Sequence, residues 1–332
     1  MKLTKTFIPL IMLVTISKLY AAPINIGIVS LEAPENNSSP FLAYATDGII
    51  YEIDQNDNEL IKQAKSAFNS KKIVSMELEK LSPSLDALEK RTKIESITLS
   101  SNEATSKENN FPQVPKHEVR MTRFEKNSNY NPAVLLNDYI SDVDTMENAQ
   151  SIFESMRQDT KKKSQCYNRA HAWSWEIYNT KLHQGKKVQP GKIWIFFTKK
   201  YVRDYKYKWW FHIAPYLKVN KEDMVIDREY SNTPQNERQW TNTYISDQSH
   251  CPQVARYSDY KNNQWSSYCY VMKTSVHYWQ PFNIENAEKR NFNKAGWRDS
   301  EVQAAYNNAV KGYREGFMRR ILGGKTAPYL KE

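Results

Sequence analysis

Three residues carry the chemistry this sequence offers: Cys166, His212 and Asp227. A thiol attacks only as its thiolate. An imidazole can take and return that proton near neutral pH, and a carboxylate can fix the imidazole in one tautomer. The residues stand 46 and then 15 positions apart, so the fold must bring them together. Cys166 alone is ambiguous, because a free cysteine is commonly a buried, inert thiol. What lies around it decides.

The run Ser164 to Tyr178 places Tyr167, Ala170, Trp173 or Ser174, and Ile177 at three- and four-residue spacing, which predicts a helix with Ser164 as N-cap. Cys166 then falls in the first turn, where unpaired N–H groups and the helix dipole favour a thiolate. With a nearby imidazolium, such a position brings a thiol from about 8.5 to about 3.5–7.5. The same amides can face a developing oxyanion. Upstream, Ile152, Phe153 and Met156 share one face of a helix predicted over residues 146 to 158. Downstream, Ile193 to Phe197, Trp209 to Ala214 and Met224 to Asp227 read as successive strands. In the second of these, Trp210 and His212 share a face opposite Phe211 and Ile213. The third ends on the Asp227 carboxylate. A helix-start thiol followed by a strand histidine and a neighbouring aspartate is the layout of papain-like thiol enzymes.

Several nearby groups read differently. His171 lies about 500° around the helix from Cys166, or about 140° off its face, which suits packing better than base catalysis. Gln165 is a candidate oxyanion donor, but a solvent-facing side chain is the plainer expectation for a glutamine. Trp209 and Trp210 either wall a cleft or fill the core, with core packing slightly favoured.

The chain has 332 residues, of which 40% are hydrophobic and 25% charged, enough for one full core and possibly two domains. Lys2 and Lys5, the ten-residue apolar run Phe7 to Ile16, and Ala21-Ala22 before Pro23 have the layout of a secretory signal peptide over residues 1–21, cut after Ala21. The run is too short to span a bilayer, which takes about 20 residues. Export, periplasmic or extracellular, permits disulfides. Cys251 and Cys269, with 17 residues between them, are the natural pair, closing a loop worth about 3 kcal/mol. That leaves Cys166 free. A zinc site from His250, Cys251, Cys269 and His277 is the competing reading, though its spacings match no common ligand pattern.

Charge divides the chain. Residues 22 to 110 hold 9 Lys/Arg and 14 Asp/Glu, a net of −5, and residues 111 to 332 carry +12 with all nine tryptophans and all three cysteines. Residues 100–116 are polar, contain two prolines and lack periodicity, as a linker does. In front of it, Asp47-Gly48 between Phe41 to Tyr44 and Ile49 to Ile53 signals a hairpin. A helix from about Asn58 to Phe68, a strand Ile73 to Leu78, a helix opened by Ser82-Pro83 and a strand Ile94 to Leu99 follow. Residues 22–99 are thus a small α+β domain, either an inhibitory pro-region docked by complementary charge or an ordinary neighbour. The basic residues of the remainder are scattered, and no nucleic-acid motif is present, so acidic protein surfaces suit them better than nucleic acid.

Three blocks resemble a known family. Cys166-Tyr167-Asn168-Arg169-Ala170-His171, Trp209-Trp210-Phe211-His212-Ile213-Ala214 and Val225-Ile226-Asp227 look like the Cys-Tyr-x-Arg-Ala-His, Trp-x-x-His-Val-Ala and Ile-Asp-Pro blocks of the bacterial protein-glutaminases, or protein-glutamine deamidases, in the same order and at similar separations. The resemblance covers mainly residues 160 to 245. It implies a Cys166-His212-Asp227 triad, a papain/transglutaminase-like α+β catalytic domain over 117–332, and synthesis as a signal-bearing proenzyme, which favours the pro-region reading. Its implied partners are protein or peptide substrates with accessible glutamine and a protease that cuts near 100–116. No cofactor and no metal are implied, no membrane after signal cleavage, and a monomer. Arg228 stands where the family has proline, so the turn after Asp227 departs from the pattern. Beyond residue 280 nothing matches. There Val302, Ala305, Ala309 and Tyr313 make a helical face, over about Ser300 to Leu322, that suits core packing. Competing functions are a secreted thiol protease or transglutaminase-type acyltransferase, which share the thioester, and a non-enzymatic secreted binding protein.

Overall fold

The computed structural model describes residues 23–36, 38–70, 72–79, 91–99, 123–126, 140–160, 165–245, 248–290 and 292–311. The expected signal peptide, the linker 100–116, the helix opened by Ser82-Pro83 and the last part of the C-terminal helix lie outside them.

The first unit is a closed five-stranded barrel. Strands β1 (Ile24–Glu32), β2 (Phe41–Ala45), β3 (Ile50–Ile53), β4 (Ile73–Leu78) and β5 (Thr92–Leu99) run in the order β1-β2-β3-β5-β4, and β4 pairs with β1 to close it. Helix α1 (Asn58–Ser70) buries Leu60, Ala64 and Ala67, at the helical spacing the sequence carries, against that barrel. The β2–β3 hairpin turns at Asp47-Gly48 as read from sequence, whereas β1 was not anticipated. Gly48 has φ +88°, a left-handed conformation that favours glycine, and a Cβ there would stand 3.2 Å from the Phe211 ring.

The second unit is built on an antiparallel sheet in the order β12-β11-β10-β9-β13, from β9 (Gly191–Phe197), β10 (Phe211–Val219), β11 (Glu222–Val225), β12 (Gln235–Asn236) and β13 (Cys269–Ser275). All seven residues of β9 are buried, because both faces of a central strand are covered. Short β6 (Arg123–Lys126) pairs with β14 (Phe292–Ala295), and β7 (Leu182–His183) with β8 (Lys186–Lys187). The helices are α2 (Met146–Ser155), α3 (Cys166–Thr180), α4 (Lys199–Asp204), α5 (Glu237–Asn242), α6 (Tyr257–Asn262), α7 (Pro281–Arg290) and α8 (Asp299–Lys311). The architecture is α+β, with the helix that begins at Cys166 laid on an antiparallel sheet.

Helix α3 is not amphipathic in the ordinary sense. Its Tyr167 and Ala170 join the sheet core, Trp173 and Ile177 meet α2, and Ala172 and Trp175 meet α8. Being covered all round, it also buries Asn168, Arg169, His171 and Ser174, and such polar groups need partners. Cys251 and Cys269 form a disulfide with Cα atoms 4.9 Å apart, so neither is left for a zinc site. Residues 299–311 of the C-terminal helix turn Val302, Ala305 and Ala309 inward, as their spacing predicts.

The barrel lies on the sheet through main-chain bonds. Ile50 N–H donates to Lys208 O at 2.7 Å, Trp210 N–H to Gly48 O at 2.9 Å, and the Trp210 indole to Ala45 O at 2.7 Å. Arg91 donates to the carbonyls of Tyr207 and Val202.

Candidate active site

Helix α3 starts one residue later than its sequence suggested. Gln165, in extended backbone (φ −71°, ψ 141°), is the cap in place of Ser164 and makes no side-chain capping bond. Cys166 is therefore the first helical residue, and the backbone N–H groups of Tyr167 and, from β10, Ile213 reach its sulfur. Ile213 follows His212, so the thiol lies against the strand that carries the imidazole.

Cys166 is 1% exposed. Burial pushes its thiol up to about 12, with Arg169 pulling it down and the Asp227 carboxylate pushing it further up. This corrects the expectation of a depressed value. The helix dipole and Arg169 are present, but desolvation of the covered thiol outweighs them.

On β10, His212 is 2% exposed. Its Nε2 is 2.7 Å from Asp227 Oδ2, and its Nδ1 has no hydrogen-bond partner among the described residues. With Nε2 engaged by the carboxylate, Nδ1 is the nitrogen available to the thiol. Asp227 lies two residues past the end of β11, which carries it alongside β10 through the bond from Ile226 N–H to Pro215 O. Its Oδ2 also accepts from the Trp240 indole at 2.8 Å and the Tyr244 hydroxyl at 2.7 Å. Burial alone would raise this carboxyl, but the His212 charge and these donors hold it below the usual carboxylate range.

Trp240 and Tyr244 were not singled out in the sequence. Their one visible signal is local: Asn236 and Gln239 form a capping box at the start of α5, followed by two aromatics four residues apart. The His212 ring is further bounded by Tyr230 at 5.1 Å and Trp209 at 6.4 Å, both edge-on. Trp210 is buried.

The turn after Asp227 is fastened without a proline. Arg228 Nη1 donates to the carbonyls of Phe153 (2.6 Å), Glu154 (2.8 Å) and Met156 (3.0 Å) at the end of α2. Next to it, Glu229 stands 3.5 Å from the Arg169 guanidinium of α3. His171 faces away from this site. Its Nδ1 is 2.6 Å from Lys192 Nζ, which also donates to Tyr278 O, and burial holds both side chains below their usual ranges. Gln165 is buried and not solvent-facing.

An antiparallel sheet that sets a histidine and an aspartate near the thiol of a helix start is an arrangement that thiol enzymes of several kinds use. More particularly, residues 144–244, which hold Cys166, His212, Asp227, Trp240 and Tyr244, match the family model Gln_deamidase_2, a glutaminase family, and the resemblance to protein-glutaminases stands. Among solved structures, a mutant of pro-protein-glutaminase aligns at 15% identity and TM-score 0.44, over 82% of this chain and 91% of that one. Pro-protein-glutaminase itself aligns at 14% and 0.42, over 82% and 90%. Protein-glutaminase from Chryseobacterium proteolyticum aligns at 16% and 0.26, over 42% and 75%. Among curated proteins, no sequence matches.

Proposed function

We propose that this chain is an exported protein-glutamine glutaminase that hydrolyses glutamine side-chain amides in proteins to glutamate and ammonia through a Cys166 thioester. The observation that carries the reading is the His212 ring, tied to Asp227 through Nε2 with Nδ1 unpartnered beside the Cys166 strand contact. In the reaction, Nδ1 takes the thiol proton and the sulfur attacks the carboxamide carbon. The C=O π pair moves onto oxygen, where backbone N–H groups near Cys166 stabilise it. As the oxyanion collapses, the C–N bond breaks, and the proton held by His212 goes to the departing nitrogen. Water, deprotonated by His212, then cleaves the thioester, while Asp227 holds the tautomer and stabilises the imidazolium.

The same proposal takes residues 1–21 as a secretion signal, with the protein working as a monomer in the periplasm or outside the cell. Residues 22–99 would be an inhibitory pro-region released by a protease cutting near 100–116. Supporting this are the near-complete burial of Cys166, His212 and Asp227 and the β2–β3 hairpin bonded across Lys208 to Trp210. The test is to nick the full chain by limited proteolysis, add casein, and measure ammonia, new peptides and cross-links. Ammonia alone, absent from Cys166→Ala, is expected. New peptides would make it a protease, and cross-linked casein an acyltransferase.

A further inference from the structure

Gln165, immediately before Cys166, presents a buried amide whose orientation can be worked out. The residue is 6% exposed, and while its carbonyl accepts from the Asn168 and Arg169 N–H groups, its side chain makes no capping bond to α3. The Trp279 indole, which can only donate, gives its hydrogen to Asn168 Oδ1 at 3.1 Å. With its oxygen so engaged, Asn168 must turn its Nδ2 the other way, where it donates to Gln165 Oε1. That fixes the second amide in turn. An indole N–H at the head of the chain leaves neither amide free to flip, and Gln165 ends it with Nε2 directed away from Asn168. Its two N–H groups bond to no described residue. With its carbonyl tied, the amide keeps an NH2 that reaches the surface beside the helix start, both hydrogens open to an incoming acceptor.

The position gives that donor a use. Gln165 caps the helix whose first residue is the nucleophile, directly before the Cys166 N–H. When a thiolate adds to a carboxamide, negative charge appears on the carbonyl oxygen within one bond of the carbon it attacks. We infer that Gln165 is a further catalytic residue, whose Nε2–H binds this oxyanion alongside the Cys166 N–H. Asn168 and Trp279 are positioning residues that hold its amide in the donating orientation. The inference rests on the glutaminase reading above.

The test compares the nicked full-length protein with Gln165→Ala, Gln165→Glu and Trp279→Phe, on two reactions. For ammonia release from casein, Gln165→Ala lowers kcat by about 10²–10³, the effect of removing one oxyanion donor, with KM little changed. Gln165→Glu, of the same size but without an N–H, gives no rescue. Trp279→Phe, which frees Asn168 to flip, lowers kcat by about tenfold, less than outright loss of the donor. The second reaction is alkylation of Cys166 by iodoacetamide, a displacement at saturated carbon that forms no oxyanion, and it proceeds at the parental rate in the two uncharged variants, Gln165→Ala and Trp279→Phe. Undiminished hydrolysis by Gln165→Ala overturns the inference alone. So does alkylation that falls in step with hydrolysis, which would mark a role in the thiol or the fold. A parent that releases no ammonia removes the glutaminase reading and the inference together.

Discussion

The barrel of residues 24–99 and the sheet-and-helix unit after it fill their interiors with different material. Inside the barrel lie Ile26, Ala43, Ile53, Val74 and Met76, with Asp47 and Thr92 as its buried polar residues. The second unit buries Arg169, His171, Lys192, His212, Asp227 and Lys294 among its aromatics. Each such group costs several kcal/mol to desolvate unless its partners are in place, and apolar residues of like volume would often be more stable. The contrast separates a unit with an almost wholly apolar interior from one whose interior holds the candidate site.

The comparison can be pressed hardest at Asp227. Asp227→Asn keeps the shape but reverses the tautomer His212 needs, so ammonia release by the nicked protein should fall by about 10⁴. Tyr244→Phe, which removes one donor from the same oxygen, should cost far less, about 1.5–3 kcal/mol of stability for a bond to a charged group, with hydrolysis reduced in proportion. Equal losses in the two variants would mean that the carboxylate acts only as a structural hub. In the barrel, Ile26→Ala should lower the unfolding free energy of the full chain by about 2–5 kcal/mol in a urea titration. Hydrolysis after nicking should be unchanged, and a loss of turnover there would erase the division between the units.

The smallest effect concerns the polar exception in the barrel. Burial pushes the Asp47 carboxyl up to about 7, against the Tyr51 hydroxyl and the Ile49 N–H that pull it down. The folded chain therefore keeps a proton that the unfolded chain releases near 4, and stability falls as pH rises from about 4 to about 7, then levels. Asp47→Asn carries no such proton. Its Tm should gain on the parent between pH 5 and pH 8, by about 2–4 °C per kcal/mol. A Tm difference that stays flat across that range would remove Asp47 as the titrating group.

Much of this was legible because it is local. Asp47-Gly48 marked the hairpin, the run Ile73 to Leu78 gave β4 to the residue, and the periodicity after Cys166 gave α3 to within two residues of its start. What escaped depends on contacts distant in sequence. Strand β1 directly follows the expected signal segment, and it is defined by pairing with β2 and β4. Trp240 on α5 and Tyr244 just past it matter because the chain there comes back over Asp227, which no spacing from Asp227 announces. The same holds for the Cys166 thiol. Helix position argues for a low value, but the burial that raises it is set by how the helix start packs in the fold, which no local spacing carries.

The Arg228 clamp bears on how Asp227 is kept in register with His212. A proline after the aspartate would make the stiffness covalent and local to the turn. Here it is a removable latch: one guanidinium nitrogen hooked on three carbonyls at the tail of α2. The Asp227 carboxylate and the tail of a neighbouring helix are thus one peptide bond apart mechanically. Fraying of that last helical turn would be felt at His212 as slack, without any atom of the site being touched.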